Sequence, residues 1–517
     1  MTIAVTRTAE RLGGNTTLVL LTTSLGVLIA QVDTSVVNLA LKPIDAELHA
    51  GVTALQWVVD GYNIVYASLL LTAGTLADLY GRRRIFALGI ALFCLGSLVC
   101  GLAPNVAALV SGRVIAGLGA ALEVPTSLAI LAVAFPDSRR RTWALGVWAS
   151  CNGLAFIIGP TFGGILVDVA GWRSVFLLII PLSILALALT LTSIPESKEP
   201  DGRRLDLPGQ TLAIMALGAL SLAVIEGPRW GWTSLPGLLS VATSIATGVL
   251  FVRRQAGQDG ALVPLPMFEN SVFSASLVVA GCMTFGMYAM LFLTPLYLQI
   301  ARGNSALVAG LELLPMSIAF VVVSQLSGKI ANALGPRIPM TSGMTLMGIG
   351  LLLLALIPFA DSLVLIEGAL LVIGCGLGLN TGPVNSVAVT NASATRAGTA
   401  SGLVNTARMV GATLGVAAIG ALVALFGRER DQILEAADRE RRLRGRHLGH
   451  RLRKPCDRIA HRRSRAARRS LRGRQARSRG GRFGARRRRH AAVAGPRGSR
   501  LHATVLAERA DQFVRGR

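Results

Sequence analysis

The sequence predicts an all-α membrane protein that crosses the bilayer many times. Apolar runs of about 20 residues recur from Leu18 to Phe426, and this is the length that spans a ~30 Å hydrocarbon core. The chain is 52% hydrophobic and contains 57 glycines but only 5% aromatic residues, a composition that suits closely packed membrane helices. Short basic stretches such as "GRRRIF" (81–86) separate the runs. We therefore expect a polytopic membrane protein.

The first element is a cytoplasmic N-terminus, residues 1–17, followed by a membrane helix. Arg7 and Arg11 precede the first apolar run, as they would in a secretory signal. The run from Leu18 to Leu41 is too long for the apolar region of a signal peptide, and it contains Asp33. We expect it to be retained as the first helix.

Thirteen spans are expected along the chain. They form a first six-helix bundle over residues 18–194, a linker with two extra helices over 195–272, and a second bundle over 273–427 with five recognisable helices. The expected spans are 18–41, 54–77, 85–103, 106–133, 143–167, 174–194, 208–226, 235–252, 273–298, 307–330, 339–359, 362–385 and 403–426.

The distribution of Lys and Arg over the short loops predicts the orientation. Alternate loops, near residues 104, 171, 229 and 302, contain a Pro, a Gly or a single Arg. Because cytoplasmic loops of membrane proteins are enriched in basic residues, the other set of loops is expected inside, together with the N-terminus. The basic loops are at 82–84, 139–141, 203–204, 253–254, 329–337 and 396.

An internal repeat supports a two-bundle architecture. Gly74, Asp78 and Gly81 in "GTLADLYGRRRIF" have the same spacing as Gly, Asn and Gly in "GKIANALGPR" (328–337). The two copies are 254 residues apart, which is eight expected spans, so both copies enter the membrane in the same orientation. Parallel repeats of six helices separated by two extra helices satisfy this spacing.

Several segments resemble the major facilitator superfamily. "GTLADLYGRRRIF" is similar to the signature of its second-to-third-helix loop, and four other segments resemble the fourteen-helix drug:proton antiporters of the EmrB/QacA type. The resemblance implies the major facilitator fold, two six-helix bundles with a two-helix insertion, here with the last helix apparently missing. The four segments are "QVDTSVVNLALKPI" (31–44), "QWVVDGYNIVYA" (56–67), "GWRSVFLL" (171–178) and "RAGTASGLVNTARMVGATLGVA" (396–417).

The resemblance also implies roles for two motifs. The loop signature would form a charge relay that latches the bundles on the inside while the outside is open; a solvated loop is the simpler interpretation. The Gly-Pro-x-x-Gly-Gly segment resembles the antiporter signature of exporters, which favours efflux over uptake. The gating residues are Gly74, Asp78, Gly81, Arg82 and Arg83, and those of the antiporter motif are Gly153, Gly159, Pro160, Gly163 and Gly164.

Three charged residues inside the first-bundle spans are candidates for proton coupling: Asp33, Arg113 and Glu123. For Arg113, proton transfer is the role that the family resemblance implies. A guanidinium at a helix centre costs at least ~2.5–3.5 kcal/mol unless it faces a partner or a cavity, so Arg113 is expected to point inward. Glu123 lies about 15 Å further along the same helix, which excludes an ion pair within that helix. The family pattern has Gln where Ala116 stands. Structural polar contacts are the alternative role for both acids.

Other candidates carry weaker signals. Asn38, Tyr62, Glu312 and Arg408 are assigned to the substrate cavity. The cysteines have no paired spacing, so we expect neither a disulfide nor a metal site. No nucleotide loop or nucleophile arrangement is recognisable, and we expect no enzymatic activity and no cofactor beyond the proton gradient.

The tail, residues 428–517, differs from the rest of the chain. It has 30 Lys and Arg against 8 Asp and Glu and therefore carries +22 of the formal net charge of +25. The favoured interpretation is a shift of the coding register that replaced a fourteenth helix, and we expect the tail to be disordered. A lipid-binding segment and a nucleic-acid arm are the alternatives. The tail has no Trp or Tyr for base stacking, so no nucleic-acid partner is expected.

Together these features predict a proton-coupled multidrug exporter, and hence a role in antibiotic resistance. The expected partners are small hydrophobic or cationic substrates, protons and membrane lipid, and the expected location is the inner or cytoplasmic membrane. An exporter of one endogenous metabolite and a non-functional, truncated transporter remnant are the alternatives.

Overall fold

The computed structural model describes residues 16–199, 205–256, 261–356, 362–392 and 398–425. Within these ranges the secondary structure is entirely helical, and thirteen long helices correspond one to one to the expected spans. The helices are α1 Thr16–Leu48, α2 Gly51–Tyr80, α3 Arg82–Gly101, α4 Val106–Ala134, α5 Ser138–Ala170, α6 Arg173–Ser193, α7 Leu207–Trp230, α8 Leu235–Ala256, α9 Ser271–Leu296, α10 Ala306–Leu334, α11 Arg337–Ala355, α12 Leu363–Thr390 and α13 Gly398–Leu425.

Most helices are longer than the apolar runs that predicted them, because polar end turns such as "SRRRT" at the start of α5 continue the helix beyond the hydrocarbon-length segment. Residues 1–15 and the tail, 428–517, lie outside the described ranges, so the predictions made for them stay predictions.

Twelve of the described helices are long and apolar enough to cross a membrane, and α2 is the exception. Its 30 residues are sufficient in length, but Gln56, Asp60 and Asn63 make it more polar. Trp57 in its second turn donates to Glu226 near the end of α7, while its last turn contacts the segment after α6. Thus α2 also runs from one end of the helical array to the other. The fourteen-helix subdivision remains a prediction.

The two ends of the helices differ in charge. We call the end that carries Arg82–Arg84, Arg139–Arg141 and Arg253–Arg254 the basic end, and the other the opposite end. Helices α3 and α5 begin at the basic end, and α8 finishes there. This grouping is the physical basis for assigning an orientation.

Small residues allow the helices within each bundle to approach closely. In the first bundle α4 packs on α2 and α3, and in the second α12 packs on α10 and α11. A Cβ atom on Gly96 would lie 2.5 Å from the backbone nitrogen of Ala116, and one on Gly376 would lie 2.6 Å from the carbonyl oxygen of Gly343. The tight contacts therefore require glycine, and they supply the dispersion energy that holds helices together in lipid.

The internal repeat is visible in the backbone. Gly81 ends α2 with φ +112° and Gly335 ends α10 with φ +80°. These angles lie in the region that residues with a Cβ rarely adopt, so both copies of the motif need glycine to end the helix before a basic loop.

The two extra helices form a hairpin, α7 and α8, that packs on α2. Gln210 donates to the Ser68 carbonyl oxygen at 2.6 Å and forms a second hydrogen bond with Thr72. At the start of α7, burial of Asp206 opposes its ionisation, but hydrogen bonds from Gly209, Arg254 and Gln255 outweigh it and hold the pKa of Asp206 below its usual range. The insertion is thus attached to the first bundle by buried polar contacts.

Candidate functional site

A buried ion pair lies at the centre of the first bundle. Arg113 of α4 donates from Nη1 to Oδ2 of Asp33 on α1 at 2.5 Å, and both side chains are at most 2% exposed. The Arg113 Nε donates to the Val58 carbonyl oxygen at 3.0 Å, and its guanidinium carbon lies 4.6 Å from the centre of the Tyr62 ring. The inward orientation expected for Arg113 is confirmed, and Asp33 is the partner that the sequence left unnamed.

The local sequence of α4 makes this arrangement possible. Gly117 lies directly against α2, because a Cβ there would be 2.6 Å from the Tyr62 carbonyl oxygen. Ala116 is packed against the backbone of Gly96 on α3 and is 1% exposed. A glutamine at position 116, as in the family pattern, would not fit without displacing α3. The arginine is therefore held by Asp33 and by α2.

Glu123 occupies a separate site near the middle of the same helix. Its side chain is 1% exposed, and its Oε1 has no hydrogen-bond partner among the described residues. Gly26 on α1 and Gly89 on α3 make room for it: a Cβ on Gly26 would lie only 2.1 Å from that oxygen. The expectation that Glu123 does not pair with Arg113 is confirmed.

Asp60 is a third buried acid, which the sequence analysis missed. It is fully buried on α2, its Oδ1 accepts from Asn63 at 3.4 Å, and its Oδ2 has no partner among the described residues. The available signal was an acidic residue inside an apolar run. Asp60 stands within the family-like segment "QWVVDGYNIVYA" (56–67).

The face of α2 that carries Asp60 packs on the second bundle. Gln56, one turn earlier on the same face, donates to the carbonyl oxygens of Val416 and Ala417 of α13 at 3.3 and 2.9 Å. Leu71, further along α2, packs against Gly402. Asp60 therefore lies on the helix that meets the second bundle.

A cavity of about 640 Å³ opens between the two bundles at the basic end. Leu70 of α2, Leu128 of α4 and Asn405 of α13 line it, and Leu262, just after α8, also contributes. Its walls are mostly apolar with a few polar groups, which is typical of sites for small organic molecules.

The bundles are joined at the opposite end. Both carboxylate oxygens of Asp168, at the end of α5, accept backbone N–H groups from the start of α10, Ala306 and Leu307, each at 2.9 Å. Lys42 donates to the Gln299 carbonyl oxygen at 2.6 Å. The structure is thus open at the basic end and closed at the opposite end.

The five residues of the antiporter motif all face another helix. Two of them pack on α1 and three on α10, so the motif forms part of the contact between the bundles and brings α5 close to both. The contacts are Gly159 with Ser35 and Gly163 with Val36 on α1, and Gly153 with Val321, Pro160 with Gly310 and Gly164 with Leu307 on α10.

The gating residues form contacts within the first half of the chain. Asp78 pairs with Arg82 at 2.8 Å, and Arg82 also reaches Glu199 at 3.3 Å. The backbone N–H of Arg83 donates to Glu196 at 3.1 Å. The segment after α6 thus wraps over the loop signature at the basic end. Gly74 lines the cavity.

The remaining candidates are not brought together. Asn38 donates to a carbonyl oxygen of its own helix, and Tyr62 lies beside Arg113. Glu312 accepts two hydrogen bonds from Asn304 near the opposite end. Arg408 donates to Thr381 in the second bundle. The buried acids of the first bundle lie on α1, α2 and α4, whereas Arg408 lies on α13 of the second bundle.

Comparison with known proteins agrees with this architecture. The family model described as Major Facilitator Superfamily matches residues 23–416. The chain is 40% identical over 409 residues to the multidrug resistance protein Stp of Mycobacterium tuberculosis, covering 79% of this chain and 76% of that protein. It is 34% identical over 398 residues to the methylenomycin A resistance protein of Streptomyces coelicolor, covering 77% and 84%.

Among solved structures, a bacterial homologue of the human lysosomal transporter Spinster, in an inward-facing and unoccupied conformation, aligns with a TM-score of 0.59. The alignment covers 82% of this chain and 86% of that one at 17% identity, which shows a shared fold.

Proposed function

Because the chain belongs to the Major Facilitator Superfamily, we propose that it exports small, largely hydrophobic compounds in exchange for protons, by alternating access. Its relatives named as multidrug and antibiotic resistance proteins support drug efflux, and membership of a transporter family favours transport over enzymatic chemistry. We assign the basic end to the cytoplasm because of its arginine-rich loops.

The observation that carries the proposal is the cavity at the basic end combined with a sealed opposite end. With the basic end inside, a compound from the cytoplasm or the inner leaflet reaches the space between α2, α4 and α13. Transport requires the Asp168 contacts to open and the basic end to close. This is the exchange of states that two packed bundles perform by rocking.

Proton coupling is assigned to the buried acids. Asp60 and Glu123 each have a buried carboxylate oxygen that has no hydrogen-bond partner in the part of the chain that the structure describes. Burying an ionised carboxylate without a partner is costly, so proton binding from outside would favour closure of the opposite end around them. The Asp33–Arg113 pair fixes the neighbouring helices and can exchange partners during the cycle.

The test uses inverted membrane vesicles and the neutral dye Nile red. We expect a proton gradient to drive dye accumulation by the wild-type chain. Asp60→Asn and Glu123→Gln should lower gradient-driven accumulation at least about tenfold, which corresponds to 1.4 kcal/mol. They should leave downhill dye equilibration intact, because isosteric amides preserve packing.

The matched control is Glu269→Gln, which neutralises an exposed acid at the start of the second half of the chain. It should behave like the wild type. Undiminished accumulation by both Asp60→Asn and Glu123→Gln would reject the coupling role, and no dye movement by any variant or by the wild type would reject export of hydrophobic compounds.

A further inference from the structure

The second bundle contains an arginine, Arg408, that has no counter-ion among the residues that the structure describes. Arg408 of α13 is partly buried, and its Nη2 donates to the Thr381 carbonyl oxygen of α12 at 3.2 Å. Its Nε is buried without a hydrogen-bond partner, and it forms no ion pair with any carboxylate in the described part of the chain.

Arg113 and Arg408 differ in how the charge of the guanidinium group is compensated. Both guanidinium groups lie in membrane helices, where an unneutralised charge is expensive. Arg113 is compensated by Asp33, by a carbonyl oxygen and by the Tyr62 ring. For Arg408, the described residues supply one carbonyl oxygen. A compensating negative group is therefore expected to come from a bound molecule.

Other polar groups of α12 and α13 also lack partners among the described residues. Oδ1 of Asn385 on α12 and Oγ1 of Thr406 on α13 are both buried and have no hydrogen bond to described residues. Asn405, about one turn before Arg408 on the same helical face, lines the cavity of about 640 Å³. The arginine thus stands about one turn beyond the cavity wall.

The acids that line the cavity, Asp78 and Asp206, do not neutralise Arg408. Asp78 is paired with Arg82 at 2.8 Å, and Asp206 is paired with Arg254 at 2.7 Å. Both acids that line the cavity are therefore paired within the first half of the chain, and neither is available to the guanidinium of Arg408. A cationic substrate would be repelled at this position.

We propose that Arg408 binds an anionic oxygen of the substrate, so that the transported compounds include small amphipathic acids. The substrate has an apolar body, which packs on Leu70 and Leu128, and a carboxylate, enolate or phenolate that the planar guanidinium binds. This deepens the proposed export function and rests on it. At the Arg408 site it replaces the cationic substrates expected from the family resemblance by anions.

A consequence follows for the driving force. When an anion leaves the cell and a proton enters, each movement is electrically equivalent to one positive charge that moves into the negative cell interior. A neutral compound exchanged for one proton moves half as much charge. The membrane potential should therefore accelerate transport of an acid more than transport of its ester.

The experiment compares three probes with the same fluorescent ring: anthracene-2-carboxylate, its methyl ester, and 2-(aminomethyl)anthracene, which is cationic. Equilibrium binding is measured on the purified full chain in detergent, and transport is measured in proteoliposomes. We expect the carboxylate to bind most tightly. Arg408→Gln should weaken its binding about 10- to 100-fold, as expected for loss of a charge-assisted hydrogen bond, and change ester binding less than about twofold.

Two further variants keep the result interpretable. Arg408→Lys retains the charge and should recover part of the carboxylate affinity. Arg253→Gln removes an exposed arginine at the basic end and should leave all three probes unchanged. A purely structural role for Arg408 predicts that Arg408→Gln lowers binding of all three probes and thermal stability together, and this outcome would overturn the proposal.

The remaining outcomes separate this inference from the export function. Arg408-dependent carboxylate binding without gradient-driven transport would reject proton-coupled export and support the anion site. Transport of Nile red with carboxylate binding that Arg408→Gln does not change would support export and overturn the anion site.

Discussion

Arg113 and Arg408 show how strongly the role of a residue depends on its immediate surroundings. Both lie in apolar helices, and their sequence context predicts burial for each. Only the contacts distinguish them: Arg113 meets Asp33 at 2.5 Å, whereas Arg408 meets a backbone carbonyl oxygen at 3.2 Å. Asp33 neutralises the charge of Arg113, whereas the charge of Arg408 has no carboxylate partner among the described residues.

The Arg113 pair yields a prediction at the residue scale. Arg113→Ala leaves Asp33 buried without a partner, so we expect a loss of ~3–5 kcal/mol of stability together with loss of efflux. Arg113→Lys keeps the charge but not the planar fork and should retain part of both. Thermal unfolding and Nile red efflux are the measurements.

A double variant separates stability from coupling. Asp33→Asn with Arg113→Gln removes both charges and should recover much of the lost stability, while gradient-driven efflux stays low. Wild-type efflux by Arg113→Ala at normal expression would show that the pair has no part in transport.

At the scale of elements, the contact between α5 and α10 determines which end of the transporter is closed. The glycines of the antiporter motif let α5 approach α1 and α10, and Asp168 then caps a helix that begins 138 residues later in the chain. A carboxylate at a helix N-terminus satisfies free N–H groups and interacts favourably with the helix dipole. The cap is therefore a contact between the bundles. In the proposed alternating-access cycle it must break each time the opposite end opens.

Substitution of Asp168 should shift the balance between the two states. Asp168→Ala removes a cap worth roughly 0.5–2 kcal/mol, which predicts a 2- to 30-fold shift toward the state that is open at the opposite end. Spin labels at the exposed positions Val169 and Val308 would report a longer distance. Asp137→Ala is the control, because Asp137 caps its own helix at Arg140; the same lengthening in that variant would contradict the gate assignment.

The loop signature at the basic end gives a second prediction for elements. Asp78→Asn should leave the protein inserted in the membrane but slow transport strongly, because the pair with Arg82 contributes to the arrangement of the loop as the basic end closes. Arg84→Gln is the matched control, since the Arg84 side chain is 78% exposed and its contact with Glu196 is 3.6 Å long. Normal efflux at normal expression of Asp78→Asn would exclude the latch.

At the scale of the whole molecule, the basic tail, residues 428–517, differs in composition and charge from the apolar helices that precede it. The family match ends at residue 416, and residues 428–517 lie beyond it and beyond the described helices. If the tail replaced a fourteenth helix by a change of register, the second bundle has a small-residue face against lipid instead of against protein. Thirteen spans would also deliver about thirty basic residues to the outside, against the orientation rule.

The tail prediction is tested with three forms of the chain: full length, truncated at Glu440, and carrying a grafted family-like fourteenth helix. We expect truncation to leave expression unchanged and the graft to raise both stability and dye transport. Abolition by truncation of an activity that the full chain shows would make the tail functional and reject the register shift.

The sequence by itself determined where the long apolar helices lie, which loops are basic, and that Arg113 and Glu123 are buried. These properties follow from hydropathy and charge counted along the chain. It did not show that Asp33 is the partner of Arg113, that Asp168 caps α10, or that Asp60 is buried on the helix that meets α13. Lipid is as apolar as a helix surface, so hydropathy carries little information on which helices face each other. Only the tertiary structure, through close packing at glycines and hydrogen bonds between distant residues, decided those contacts.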